Sequence, residues 1–167
     1  MNTAQHPAIY VGTYHKYNCA SLFGAWMKLD DFSSYDEFIE AARKLHKDED
    51  DPELMFQDWE HIDDSFIGES WIDPEFWDFL ALDDDEQELL TAYREHIDST
   101  GTLRDAENAY ITRAESFRDF ADELADDLLH GVPEHVAQYF DYEAHARDLE
   151  FAYTVAETND GVIIFAS

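Results

Sequence analysis

Residues 8–14, AIYVGTY, have the β-branched and aromatic content of a strand, and residues 22–29, LFGAWMKL, repeat it after a polar stretch containing Asn18 and Ser21. The two are expected to pair. Downstream, Ser34 with Glu37 three residues later has the form of a capping box, and Phe38, Ala41, Ala42 and Leu45 mark the buried face of the helix it opens. Asp48 to Asp51 and Pro52 stop that helix. Residues 53–60, ELMFQDWE, are apolar enough at Leu54, Met55 and Phe56 to lie as a third strand against the first two. An α+β unit over residues 1–61 follows.

From 62 to 100 the texture becomes helical. Asp73 and Pro74 form an N-cap and first-turn pair ahead of Phe76, Trp77, Phe79 and Leu80. Leu89, Leu90, Tyr93 and Ile97 share one face of a second helix, whose first turn is crowded by residues 83–88, where the helix dipole favours negative charge. Ser99, Thr100 and Gly101 read as a linker. The last third starts with a short strand near 109–112, then a helix from about 116 to 129 with Phe117, Phe120, Leu124 and Leu128 as its buried stripe, ended by Gly131 and Pro133. Asp141 caps another helix carrying Tyr142, Ala146 and Leu149. Residues 151–155, a turn at Asn159-Asp160-Gly161 and residues 162–165 give a hairpin signal. The expected units are an α+β domain (1–61), an acidic helical domain (62–103) and a second α+β domain (104–167), although length alone leaves one, two or three domains open. There is no internal repeat.

The chain is 45% hydrophobic and 15% aromatic, which separates it from disordered acidic tails and implies a packed core. Outside that core stand 40 Asp and Glu against 10 Lys and Arg, a formal charge of −30 whose self-repulsion costs stability. Residues 1–29 hold no carboxylate and two lysines, residues 30–100 hold 25 acids and 4 bases, and residues 101–167 hold 15 and 4. The acids are interleaved with Phe, Trp, Leu and Tyr, as on the solvent faces of packed elements. Basic residues never gather into a patch, so no direct nucleic-acid partner is expected. No apolar stretch approaches the roughly 18 residues of a membrane span, and anionic headgroups repel such a surface, so no membrane partner is expected either. The start, MNTAQHPAIYVGTY, lacks the basic and apolar regions of a signal peptide, and Cys19 has no disulfide partner; a cytoplasmic protein is expected. The natural partner of this charge is basic.

Chemistry-bearing motifs are missing. Adjacent acids such as Asp63 and Asp64 do not make a glycosidase, whose two carboxyls are isolated and differently tuned. Residues 48–53, DEDDPE, lack the glycine of a calcium loop. The eight histidines show neither H-E-x-x-H nor a paired set, with His130 and His135 only bracketing a Gly-Val-Pro break, and Cys19 sits in no nucleophile motif. No catalytic residue, metal or cofactor is expected. The informative feature is charge spacing: Glu115, Asp119, Asp122, Glu123, Asp126 and Asp127 put six carboxylates over about 18 Å of helix, one per roughly 3 Å. One DNA strand carries one charge per about 3.4 Å. The solvated face of an amphipathic helix accounts for such a stripe taken alone, but not for the total, since thirty net charges match about 50 Å of duplex, and two chains about 100 Å. A salt-adapted surface is the rival source of this charge; the four lysines fit it and the aromatic content argues against it.

Tyr10-Val-Gly-Thr-Tyr14 with Lys16-Tyr17-Asn18, then Phe23-Gly24, Trp26 and Leu29, then Leu45-His46-Lys47-Asp48-Glu49 and Asp51-Pro52-Glu53 running into Met55-Phe56-Gln57-Asp58-Trp59-Glu60, and Ile67-Gly68-Glu69-Ser70-Trp71, resemble the ArdA antirestriction family. Phe140 to Ala144 and Ala146 to Leu149 resemble it as well. Ala20 and Asp63 stand where the pattern suggests glycine and proline. The resemblance implies an elongated α+β chain of three small domains, a homodimer joined through the last, imitating B-form DNA. It further implies that the protein fills the DNA-binding cleft of type I restriction-modification enzymes, in their specificity and methyltransferase core, and is carried by mobile elements entering a restricting host. The acids then expected to stand for phosphates are Asp48, Glu49, Asp50, Asp51, Glu53, Asp58, Glu60, Glu69, Asp83, Asp84, Asp85, Glu86, Glu88, Glu115, Asp119, Asp122, Glu123, Asp126 and Asp127. Two other classes stay open: an acidic module sequestering another basic DNA-binding protein, such as a nucleoid protein, and an enzyme with an adaptive acidic surface.

Overall fold

The computed structural model describes residues 5–167; the first four residues of the stretch expected to lack a signal peptide lie outside the described residues. The chain divides into two compact units, Met1–Asp83 and Asp84–Ser167.

The first unit runs β1 (Ala8–Thr13), α1 (Tyr14–Asn18), β2 (Ala25–Lys28), a 3-10 turn, α2 (Tyr35–Leu45), β3 (Leu54–Glu60), the short β4 (Ile67–Gly68) and β5 (Trp71–Ile72), and α3 (Phe76–Leu80). Its sheet has the order β2-β1-β3, all antiparallel. The first strand is central, paired along one edge with β2 and along the other with β3, and both its faces are also packed. Ile9 and Val11 are fully buried in the core with Phe38 and Ala42 of α2. On the other face Tyr10 meets Trp26 edge-on at 5.7 Å and its hydroxyl donates to the Leu22 carbonyl at 2.7 Å. The β1–β3 register slips between Tyr10, opposite Asp58, and Val11, opposite Phe56, which leaves Gln57 as an extra residue. Gln57 folds its carboxamide over Gly12, where a Cβ would come within 2.4 Å of Nε2, so a side chain at residue 12 would push that carboxamide aside.

Several boundaries differ from the sequence reading for local reasons. Tyr14 is helical, because the Thr13 hydroxyl accepts the Lys16 N–H at 3.2 Å and so caps α1. Ser34 caps α2 as expected, but Glu37 reaches past it to the Ser33 N–H and hydroxyl, both at 2.6 Å, so the reciprocal arm lands one residue early. Residues 67–72, read as part of a helical region, form the β4–β5 ribbon, which the Phe56 N–H joins to β3 through the Glu69 carbonyl at 2.7 Å. Two-residue strands are too short to show a period. The Asp73 carboxylate accepts the Glu75 N–H at 2.9 Å, and α3 begins one residue later. Phe38, Phe56, Phe66, Phe76 and Trp77 dominate the core, and the Trp77 indole N–H is satisfied by the Leu29 carbonyl at 3.2 Å.

The second unit runs α4 (Asp84–His96), α5 (Leu103–Ala109), β6 (Tyr110–Ala114), α6 (Phe117–Leu128), α7 (Glu134–Ala137), α8 (Tyr142–Leu149), β7 (Tyr153–Thr158) and β8 (Gly161–Ala166). Its antiparallel sheet has the order β6-β8-β7. Central β8 carries Val162-Ile163-Ile164-Phe165, all buried, and the period of two sends alternate residues to opposite faces. Ile163 and Phe165 join Ala92, Leu89 and Tyr93 of α4, whereas Val162 and Ile164 join Phe117, Phe120 and Leu124 of α6. Helices therefore cover both faces. The hairpin turns through Asn159 and Asp160, and Gly161 takes φ 133° with its α-carbon so close to β6 that a Cβ would lie 2.3 Å from the Ala114 carbonyl oxygen.

Here too the phase was right and the ends were not. Leu128 lies on the apolar side of α6 but is 67% exposed past the end of the core, whose place is taken by Ala121 and Ala125. Ile97 is exposed beyond the end of α4, with Ala92 buried instead. Phe151 is 88% exposed in a 3-10 turn, and the strand starts at Tyr153. The sequence reading has no counterpart of α5, although Thr102 and Asp105 close a complete capping box over it. Asp141 caps α8 through the Ala144 N–H at 3.0 Å, as expected. Of the segment expected as a middle helical domain, Ile62, Phe66, Ile72, Phe76 and Trp77 pack in the first unit's core, and Leu89, Ala92 and Tyr93 in the second's. Among the described residues no helix is long and apolar enough to cross a membrane.

Candidate carboxylate interface

Packing the apolar residues inward leaves the acids outside, but not all equally free. Of the nineteen acids read from the sequence, fifteen are exposed, and the half-buried four are Glu49, Glu86, Glu88 and Asp122. Glu49 pairs with Lys16 at 3.2 Å, Glu88 with Arg113, and Asp122 with Arg118 at 2.8 Å.

In the first unit, Asp48 and Glu49 close on Lys16 together. The ammonium lies 2.8 Å from Asp48 Oδ1, 3.2 Å from Glu49 Oε2 and 2.9 Å from His46 Nδ1, and stands over the Phe23 ring at 5.0 Å. Fully buried His46 is defined by this contact: a lysine can only donate, so Nδ1 is the acceptor, and Nε2–H donates to the Val11 carbonyl at 3.1 Å. Buried Thr13 donates its hydroxyl to Glu49 at 2.8 Å. Burial works against the Lys16 charge, but the bonds to Asp48 and Glu49 outweigh it and raise its pKa. The Lys16 bond holds Asp48 below the ordinary carboxylate range, and Thr13 and Lys16 do the same for Glu49 against the effect of its burial. The donor atoms of His46, Asp48 and Glu49 lie within 4.8 Å of one another, the grouping a metal ion uses, and Lys16 supplies the positive charge at their centre. No sequence signal exposed this cluster, because Lys16 is some thirty residues from its partners.

The remaining acids of that unit face outward. Asp50 and Asp51 border a depression of about 460 Å³ with Arg43, Lys44 and Lys47, and Asp51 and Glu53 a second of about 420 Å³. Asp58 and Glu60 are exposed on β3, and Glu60 flanks a third hollow with Trp26 and Lys28. Glu69 sits in the β4–β5 turn; burial, then its bond and charge, raise the Tyr14 pKa. Asp83 is exposed at the unit's end.

In the second unit the acids form two groups. Asp84, Asp85 and Glu86 occupy the first turn of α4, with Glu88 a turn further on held by Arg113, which also reaches the Asp85 carbonyl at 3.4 Å. On α6, Asp119, Asp122, Glu123, Asp126 and Asp127 span about 140° at 100° per residue, opposite Phe117, Ala121 and Leu124. Glu115 precedes the cap residue Ser116 and lies off the helix. Asp126 accepts the Tyr142 hydroxyl of α8 at 3.0 Å, and this bond raises the tyrosine's pKa. Asp141 and Glu143 of α8 stand close enough to Arg118 to act on its charge, so the α6 face extends onto α8. Those two acids were not in the sequence-derived set, although the resembling block at 140–144 contains both.

Carboxylates fixed on helix faces and strand edges, with apolar residues packed beneath them, give each unit a strongly negative exterior. The chain matches the family model described as Antirestriction protein (ArdA) over residues 9–164, nearly its whole length, and it belongs to that family. A comparison with curated proteins found no match. Membership gives it an antirestriction function and, with that, interaction with restriction-modification enzymes.

Proposed function

We propose that this antirestriction protein is a non-catalytic mimic of duplex DNA, whose carboxylates stand where phosphates stand and fill the DNA-binding cleft of type I restriction-modification enzymes. The observation that carries this reading is the α6 face: five carboxylates on one side of a twelve-residue helix, at a spacing close to that of phosphates on one strand. In the specificity and methyltransferase core, the lysines and arginines that meet phosphate would meet Asp119, Glu123 and Asp127, all exposed. Phosphate contacts position DNA, whereas base edges specify it, so a phosphate mimic is broad across recognition sequences. The working form is a homodimer joined through residues 104–167, acting in the cytoplasm.

Titration of a type I enzyme in a DNA-binding assay tests the mechanism. Competition at fixed stoichiometry, relieved by added DNA, is the expected result. Inhibition that deepens with incubation at substoichiometric protein would show turnover and defeat the proposal. Light scattering of the full chain tests the dimer.

A further inference from the structure

The 420 Å³ depression beside α2 has walls that a mere phosphate mimic does not require. One wall is Trp71, which remains 49% exposed. Its indole is set by the backbone beneath it: Gly68 faces it across the β4–β5 ribbon, and a Cβ on Gly68 would meet the indole Nε1 at 2.3 Å. Tyr35, braced edge-on by Trp77 at 6.1 Å, and buried Phe56 line it as well. Asp51 and Glu53 bring two exposed carboxylates to the same depression, and neither forms an ion pair with any described residue. Arg43 is the one base lining it.

We propose that this depression is a receptor for a single arginine side chain of a basic protein partner. Aromatic faces attract cations, most strongly where water is excluded. Of the two basic side chains, the guanidinium is planar, weakly hydrated, able to stack on Trp71 and able to bond two carboxylates through its forked donors. A lysine ammonium has neither the plane nor the fork. The surrounding charge points the same way, since residues 1–83 hold 19 acids against 5 bases. Arg43 opposes the incoming charge and lowers the affinity of the free site. Identifying the arginine as one belonging to a type I enzyme rests on the proposed function; the chemistry of the depression does not. Such a site would be an anchor within a surface whose other contacts are diffuse.

The full chain is titrated with N-acetyl-arginine methylamide while the Trp71 indole N–H resonance is followed, with the lysine and leucine amides as controls. A saturable shift with the arginine amide, weaker binding of the lysine amide and no response to the leucine amide are expected. Asp51→Asn with Glu53→Gln should weaken arginine binding about fivefold, and Arg43→Gln should strengthen it about twofold, a gain that unfolding cannot produce. An equal response to the leucine amide, or weaker binding in Arg43→Gln, overturns the receptor. Failure of the wild-type chain to displace DNA from a type I enzyme would overturn the proposed function and leave this titration unaffected.

Discussion

The two units carry almost the same charge on different frames. Met1–Asp83 holds 19 acids and 5 bases, and Asp84–Ser167 holds 21 and 5. The first opposes its self-repulsion with one continuous core of twelve buried residues, five of them large aromatics. The second has two thinner clusters, of four and three buried residues, one on each face of its sheet. Their acids differ as well. In the first unit exposed Asp48 and half-buried Glu49 both bind Lys16, where they hold the end of α2 to β1 and α1. In the second, the base pairs lie at the surface, as with Arg118 and Asp122, and the acidic face remains outward. Counting acids therefore overstates the free acidic surface wherever a base has turned some of them into structure.

The largest effect should come from the cores. Phe38→Ala is expected to cost about 3–5 kcal/mol of unfolding free energy, and Phe120→Ala less, because its smaller cluster leaves a cavity more easily filled. Denaturant titration of the full chain measures both, and equal costs would break the contrast between frames. Next come the acids. Replacing Asp83, Asp84, Asp85, Glu86 and Glu88 together should weaken inhibition by several kcal/mol, about 0–1 each, while Asp84→Asn alone should barely register. Asp48→Asn with Glu49→Gln should instead lower thermal stability more than inhibition, and the reverse is expected for Asp126→Asn with Asp127→Asn. A single acid whose loss abolished inhibition with the fold intact would replace the distributed surface with a hot spot.

Lys16→Met isolates the Lys16 pairing by its pH dependence. Asp48 and Glu49 are lowered from 3.8 and 4.5, so their contribution is present above those values and lost as pH falls through the depressed ones. Lys16 is raised from 10.5, so its contribution is present below that value and lost as pH rises through the raised one. The wild type should thus exceed Lys16→Met in stability across the window between, and the gap should close on both flanks. A constant difference at every pH would mean that packing, not charge, is lost. The smallest effect concerns Ala20, which closes α1 at φ 61°, where the family pattern suggests glycine. Ala20→Gly should stabilise the chain by about 1 kcal/mol, read as a shift in the denaturation midpoint.

Much of this architecture was legible in the residues themselves. Ser34 and Asp141 announce helix starts because a cap is a contact within four residues. Asn159-Asp160-Gly161 ahead of the apolar run at 162–165 announces a hairpin, because the turn lies within the few residues that form it. The charge, its absence from residues 1–29, and the blocks at 10–29 and 45–71 that carry the family resemblance are likewise properties of the chain as written. Boundaries failed where a helix outran its core, as at Leu128 and Ile97, since periodicity continues whether or not anything covers it.

Only the folded chain decided which acids are free. Lys16 meets His46, Asp48 and Glu49 across thirty or more residues because the end of β1 and the end of α2 arrive at the same place, and no window of sequence contains that meeting. The same holds for Trp71 over Gly68 and for the β1–β3 bulge that lays Gln57 on Gly12. Local propensities act through bonds a few residues long and are recorded in the sequence near the element they shape. A pairing between distant segments depends on the closure of a loop and the packing of a core, so it exists only in the tertiary structure.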